Sequence, residues 1–184
     1  MFHPLIFDNI KVVLEGAVYD RDFDGTILIT GRTDSMDLAT YHRLYQIDFR
    51  LAGEKRDEEE VYAQMQLCTS LPDIAGELLE KPLTDPIGCT ICIHFFLTVA
   101  EVEQETEAIA RLLNEIWGNR PYITQTIKAR LKEYQHKWPP ERFENQITLD
   151  FHRKIDEGNI EDLRGLVEHT IASLEQLQQR ENRR

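Results

Sequence analysis

Two stretches, Tyr41 to Leu51 and Val61 to Leu67, alternate with a period of two, and no other feature restricts the fold as much. Tyr45, Ile47, Phe49 and Leu51 are interleaved with Leu44, Gln46, Asp48 and Arg50, and Val61, Ala63, Met65 and Leu67 with Tyr62, Gln64 and Gln66. Side chains on a strand point to opposite faces in turn, so a period of two with one apolar set predicts half-buried strands of an antiparallel sheet. The acidic run Asp57-Glu58-Glu59-Glu60 between them suits a solvated turn.

Other segments add strands to this pair. Ile10 to Tyr19 satisfies neither period cleanly. The turn signal Asp22-Phe23-Asp24-Gly25 and the β-branched Thr26 to Thr30 that follow it make the stretch read as the first arm of a hairpin. Cys89 to Val99 is apolar on both faces, as expected of a central strand covered on both sides. Gln146 to His152 alternates once more, ahead of an Asp156-Glu157-Gly158-Asn159 turn.

Helices come from stripes at spacings of three and four. Leu71 to Glu80 is a short helix with Ser70 as N-cap and Pro72 in its first turn. Glu101 to Trp117 is a longer one, acidic at its start and stopped by Gly118. Pro121 to Trp138 reads as a third, through Ile123, Ile127, Leu131, Tyr134 and Trp138, ended by Pro139-Pro140. A long C-terminal helix from near Asn159 carries Ile160, Leu163, Val167, Ile171, Leu174 and Leu177. Strands first and helices later, without βαβ alternation, predict an α+β fold: a largely antiparallel sheet opening with an N-terminal meander, its helices on one face. At 184 residues the whole chain, 1–184, is expected to form one domain.

Charge narrows the function. There are 33 acidic against 21 basic residues, a formal charge of −12 that repels nucleic acid and an anionic membrane surface. The longest apolar run, Ile91 to Ala100, is far short of the ~20 residues a membrane-spanning helix needs. The opening Met-Phe-His-Pro-Leu-Ile-Phe-Asp lacks the basic and apolar regions of a secretory signal, and three cysteines are too few to staple such a chain, so a reduced cytoplasmic setting is expected. No glycine-rich phosphate loop follows a strand, no G-x-S-x-G occurs, and no cofactor is implied.

Four groups of residues have chemistry to offer. Asp20, Asp22 and Asp24 before Gly25 resemble the opening of an EF-hand calcium loop, although Gly31 stands where the bidentate Glu belongs and a solvated Asp/Gly turn explains the same string. Cys89 and Cys92 have C-x-x-C spacing, with Cys68 and His94 as nominal further zinc ligands. On a strand, however, residues three apart point to opposite faces, which suits buried structural thiols. His42 with Asp48, and His152 with Asp150, share a polar strand face where a histidine oriented by a carboxylate could do acid–base work; a plain solvated face reads the same. Lys128, Arg130, Lys132 and Lys137 with Trp138 form a basic, aromatic edge suited to an acidic partner or anionic ligand.

The sequence thus favours a non-enzymatic protein-interaction or regulatory domain with a protein partner; the stripe of its C-terminal helix suits a homodimer and packing on the chain's own sheet equally. The alternatives are a small hydrolase, perhaps metal-dependent, on the polar sheet face, and calcium binding at Asp20 to Gly25.

Overall fold

The structure, a computed structural model, describes residues 5–53, 61–79, 86–129 and 138–181. It is an α+β fold: a six-stranded antiparallel sheet in the order β1-β2-β3-β4-β6-β5, with β1 Ile27–Asp37, β2 His42–Leu51, β3 Tyr62–Thr69, β4 Cys89–Val99, β5 Tyr122–Lys128 and β6 Phe143–Ile155. The first four strands form an N-terminal meander as expected, although its fourth member is β4 and Ile10 to Tyr19 is not part of it. The helices are α1 Leu5–Phe23, α2 Leu71–Leu79, α3 Val102–Trp117 and α4 Asp162–Glu181.

The alternation did its work in β2 and β3. Tyr45, Ile47 and Phe49 lie beside Ala63, Met65 and Leu67 through an uninterrupted register, and all six are buried. Ile93, Phe95, Ile147 and Leu149 continue that face through β4 and β6. Against it pack α1, α3 and α4, which also touch one another along α4. The α4 stripe of Leu163, Val167, Ile171, Leu174 and Leu177 is buried within this core, so the face once free to serve a dimer is occupied by the chain's own sheet.

Three expectations are corrected. The first concerns Ile10 to Tyr19, which is helical: Phe7, Ile10, Leu14, Ala17 and Val18 are buried at helical spacing. Val12, off that stripe, is exposed. Asp22 to Gly25 is accordingly the end of α1 and no hairpin turn. Asp24 N–H donates to the Asp20 carbonyl at 3.1 Å and Thr26 N–H to that of Arg21 at 3.0 Å, while Gly25 takes φ 80°, the left-handed value that ends helices.

The second concerns Pro121 to Trp138. Residues 122–128 are strand β5, whose Ile123 and Ile127 pack against the core from positions four apart. That spacing serves a helix turn and two strand repeats equally, and the β-branched content of Ile-Thr-Gln-Thr-Ile decides for the strand. The part of that stretch at 130–137 lies outside the described residues.

The third concerns β4, where a cover on both faces was expected. Its second face carries half-buried Cys92 and Phe96, with His94 more deeply set, and among the described residues the large helices all lie on the opposite side. Tyr62 covers Phe96 by stacking, ring centroids 4.5 Å apart. No helix among the described residues is long and apolar enough to cross a membrane.

Candidate functional site

The polar sheet face holds a continuous row of side chains. Register aligns Asp48, Gln64, His94 and Thr148 across four strands. Gln46 Nε2 donates to Asp48 Oδ1 at 3.2 Å, while Gln66 Nε2 donates to Gln64 Oε1 at 2.7 Å and to Gln46 Oε1 at 3.3 Å. His94 Nδ1 lies 2.9 Å from Thr148 Oγ1. The row therefore spends its hydrogen bonds internally.

Burial lowers the His94 pKa below its ordinary 6.5. The unfolded ring takes a proton below pH 6.5 while the folded ring resists it, so this contribution to stability is complete above 6.5 and lost as pH falls from 6.5 through the folded value. Thermal melts should show the midpoint dropping on acidification across that window. In His94→Gln that part of the slope should vanish; an identical slope would remove His94 as its source.

The two histidine–carboxylate pairs fare differently. His42 faces Asp37 at the exposed end of the β1–β2 hairpin, about 20 Å along the strand from Asp48 at ~3.3 Å per residue. Asp150 and His152 do meet: His152 N–H donates to Asp150 Oδ1 at 2.8 Å and its Nδ1 lies 3.6 Å from the same oxygen, with the ring 5.6 Å from that of Tyr122. At the longer distance the ring nitrogen is too far from the carboxylate for a hydrogen bond.

Asp20, Asp22 and Asp24 turn to separate partners. Asp20 meets Arg164 at 3.2 Å, Asp22 accepts from Ile29 N–H at 3.0 Å, and Asp24 accepts from Thr26 and from Arg21. The Thr26 hydroxyl, then Arg21, hold the Asp24 carboxyl below the usual range. Cys89 lies in the core and Cys92 on the opposite face, both as free thiols, with burial raising them to about 12 and about 11. Among the described residues no group of three His, Cys, Asp or Glu is placed to hold a metal. Of the basic edge, Lys128 donates to Gln146 Oε1 at 3.1 Å and Trp138 is exposed, whereas Arg130, Lys132 and Lys137 lie outside the described residues.

The described residues also form a cleft elsewhere. It is a cleft of about 850 Å³ between the C-terminal end of α3, the N-terminal half of α4 and the far end of β6. A bulge lies beside it. Between the pairs Thr90↔Lys154 and Cys92↔Asp150, β4 has only Ile91 where β6 has Phe151 to Arg153, and His152 takes φ 49°. A non-glycine residue at positive φ is uncommon, and bulges of this kind re-aim side chains at sheet margins. Here Phe151 turns into the cleft, edge-on to Trp117 at 5.6 Å.

Trp117 is the hinge of the site. It is buried, its Nε1 donates to Ser173 Oγ at 2.9 Å, and His169 flanks it at 5.4 Å. With Ile91, Ile155, Leu163 and Leu166 the two aromatic rings make an apolar floor, and the exposed Arg120, Arg153, Glu115, Glu161 and Asp162 make a mixed-charge rim. Gly165 lines the same space from inside α4, and a Cβ there would meet no atom within 4 Å. Glycine within a helix costs about 0.5–1 kcal/mol relative to alanine. Gly165→Ala should therefore raise the melting temperature by about 1–4 °C; an unchanged or lower midpoint would show that the backbone here needs glycine.

None of these cleft residues was singled out by sequence, where Trp117 read only as a helix end and Phe151 as one more inward strand position. The chain matches no family model, no curated protein and no solved structure.

Proposed function

We propose that this chain is a non-enzymatic interaction domain that takes an apolar anchor side chain of a protein partner into the cleft beside Trp117. One observation carries the reading. The cleft pairs an aromatic floor with a rim of both charge signs, including Arg120 and Arg153. Aromatic and arginine side chains dominate the energetics of protein recognition, and a volume of about 850 Å³ falls within the ~300–1,000 Å³ typical of binding sites. The net charge of −12 favours a protein partner over nucleic acid or an anionic membrane surface, and is compatible with a cytoplasmic setting.

The test uses a displayed peptide library selected on the full chain. Recovered peptides should share an aromatic or aliphatic anchor and should change the fluorescence of Trp117 in a Trp138→Phe background. They should lose about tenfold or more in affinity for Gly165→Leu, which fills the cleft, since one lost anchor contact is worth ~1.4 kcal/mol or more. Peptides that bind Gly165→Leu equally well would sink the proposal.

A second reading, a hydrolase, rests on the Asp150–His152 contact beside Tyr122. Turnover of a hydrolysable ester or phosphoester that disappears in His152→Ala would favour it. Calcium binding at Asp20, Asp22 and Asp24 has weaker support, because each carboxylate already has its own partner.

A further inference from the structure

The sheet ends in two edges that are built differently. At β1 the edge is guarded: a bulge interrupts the register between Ile29 and Gly31, and Arg32 and Asp34 place charges along it, paired to Glu15 at 2.6 Å and Lys11 at 2.8 Å of α1. Such devices keep an edge from pairing with another chain. The other edge, β5, has none of them from Ile123 to Ile127. Its register with β6 runs unbroken from Tyr122↔Asp150 to Lys128↔Glu144, and its residues between the ends are uncharged and mostly β-branched. Among the described residues no strand lies beyond it.

The order of its residues suggests what would pair there. Ile123-Thr124-Gln125-Thr126-Ile127 reads the same in both directions. Two antiparallel copies related by a twofold axis at Gln125 would set Ile123 against Ile127 of the second copy, Thr124 against Thr126, and Gln125 against Gln125. Every pair would be like with like in shape, isoleucines on the helix side and threonines on the other, which is the self-complementarity a closed twofold interface requires. Tyr122 would meet Lys128 of the second copy, so the strand's one charge would face a ring instead of a like charge.

We propose that a second copy of this chain pairs with β5 in that register, joining the two sheets edge to edge into one. The inference is independent of the cleft, which is formed by α3, α4 and the far end of β6. A seven-residue strand is a small interface, so the dissociation constant is expected to be on the order of micromolar.

Sedimentation velocity on the full chain from about 1 to 100 µM should show a concentration-dependent monomer–dimer equilibrium. Thr124 and Thr126 are exposed, so replacing them should leave the monomer fold intact, which circular dichroism and the melting temperature would verify. Thr124→Lys with Thr126→Lys sets lysine against lysine twice and should weaken the dimer roughly tenfold or more. Thr124→Glu with Thr126→Lys sets opposite charges against each other in the same register and should restore it. A monomer at every concentration overturns the proposal, as does a dimer indifferent to the double lysine variant. Failure of the glutamate–lysine variant to recover dimer overturns the register.

Discussion

Trp117→Ala is expected to lower the free energy of unfolding by about 3–5 kcal/mol, as for other large aromatic residues truncated in a core. The side chain is 6% exposed and stands where α3, α4 and β6 meet, in contact with the Phe151 and His169 rings. Its indole N–H donates to Ser173 Oγ, which itself donates to the His169 carbonyl at 2.8 Å, so truncation also removes one link of a buried chain of hydrogen bonds. For a chain of this length the midpoint of a thermal melt should fall by about 6–20 °C. Trp117→Phe keeps a ring and loses only the donor, so it should cost about 1 kcal/mol plus a small packing loss. A loss under 1 kcal/mol in the alanine variant would mean that the cleft floor is not part of the cooperative core.

Asp73→Ala should cost about 2–4 kcal/mol, from a residue outside the apolar core. Asp73 is 6% exposed in α2 and accepts three bonds: from Ser70 Oγ at 2.7 Å, from Gly88 N–H at 3.2 Å and from Lys154 Nζ at 2.5 Å. It thereby ties α2 to the entry of β4 and the end of β6. Hydrogen bonds to a charged group are worth about 1.5–3 kcal/mol, and a buried N–H left without a partner adds its own desolvation cost. Lys154 is about a third exposed and can return to water, so the ionic part is discounted and the Gly88 amide dominates. Chemical denaturation of Asp73→Ala, Lys154→Met and the double variant separates the two. A coupling energy near the full Asp73→Ala loss would assign the effect to the ion pair and refute this account.

What the sequence revealed follows from how local each signal is. Strands β2 and β3 were plain because Tyr45 to Leu51 and Val61 to Leu67 each carry a whole period-two pattern within a few residues, and α3 because Val102, Ile109, Leu112, Leu113 and Ile116 fall on one helical stripe. Helix α1 was missed because its stripe starts at Phe7, before the stretch that was read, and because Val12 and Val13 favour strands on their own. Strand β5 was missed because Ile123 and Ile127 satisfy either period. The cleft left no trace in any one segment. Its floor comes from Ile91, Trp117, Phe151 and Leu163 on four separate elements, and the bulge beside it is a register difference between two strands far apart in sequence. Gly165, unusual inside a helix, was the one local hint.

The sheet order also dictates when its halves can form. Strands β1 to β3 each pair with the next in sequence, and the β1–β2 hairpin forms by closing a four-residue loop. The β4–β6 seam instead joins residues from Val99↔Phe143 out to Cys89↔Ile155, with all of α3 and β5 in between. Loop-closure entropy must be overcome before that seam returns any contact energy, so the seam is expected to form after the β1–β2 hairpin. The cleft, whose floor needs β6 seated beside Ile91, is therefore expected to form only with that seam, and a chain that has not closed it would present the unpaired β4 edge to its neighbours.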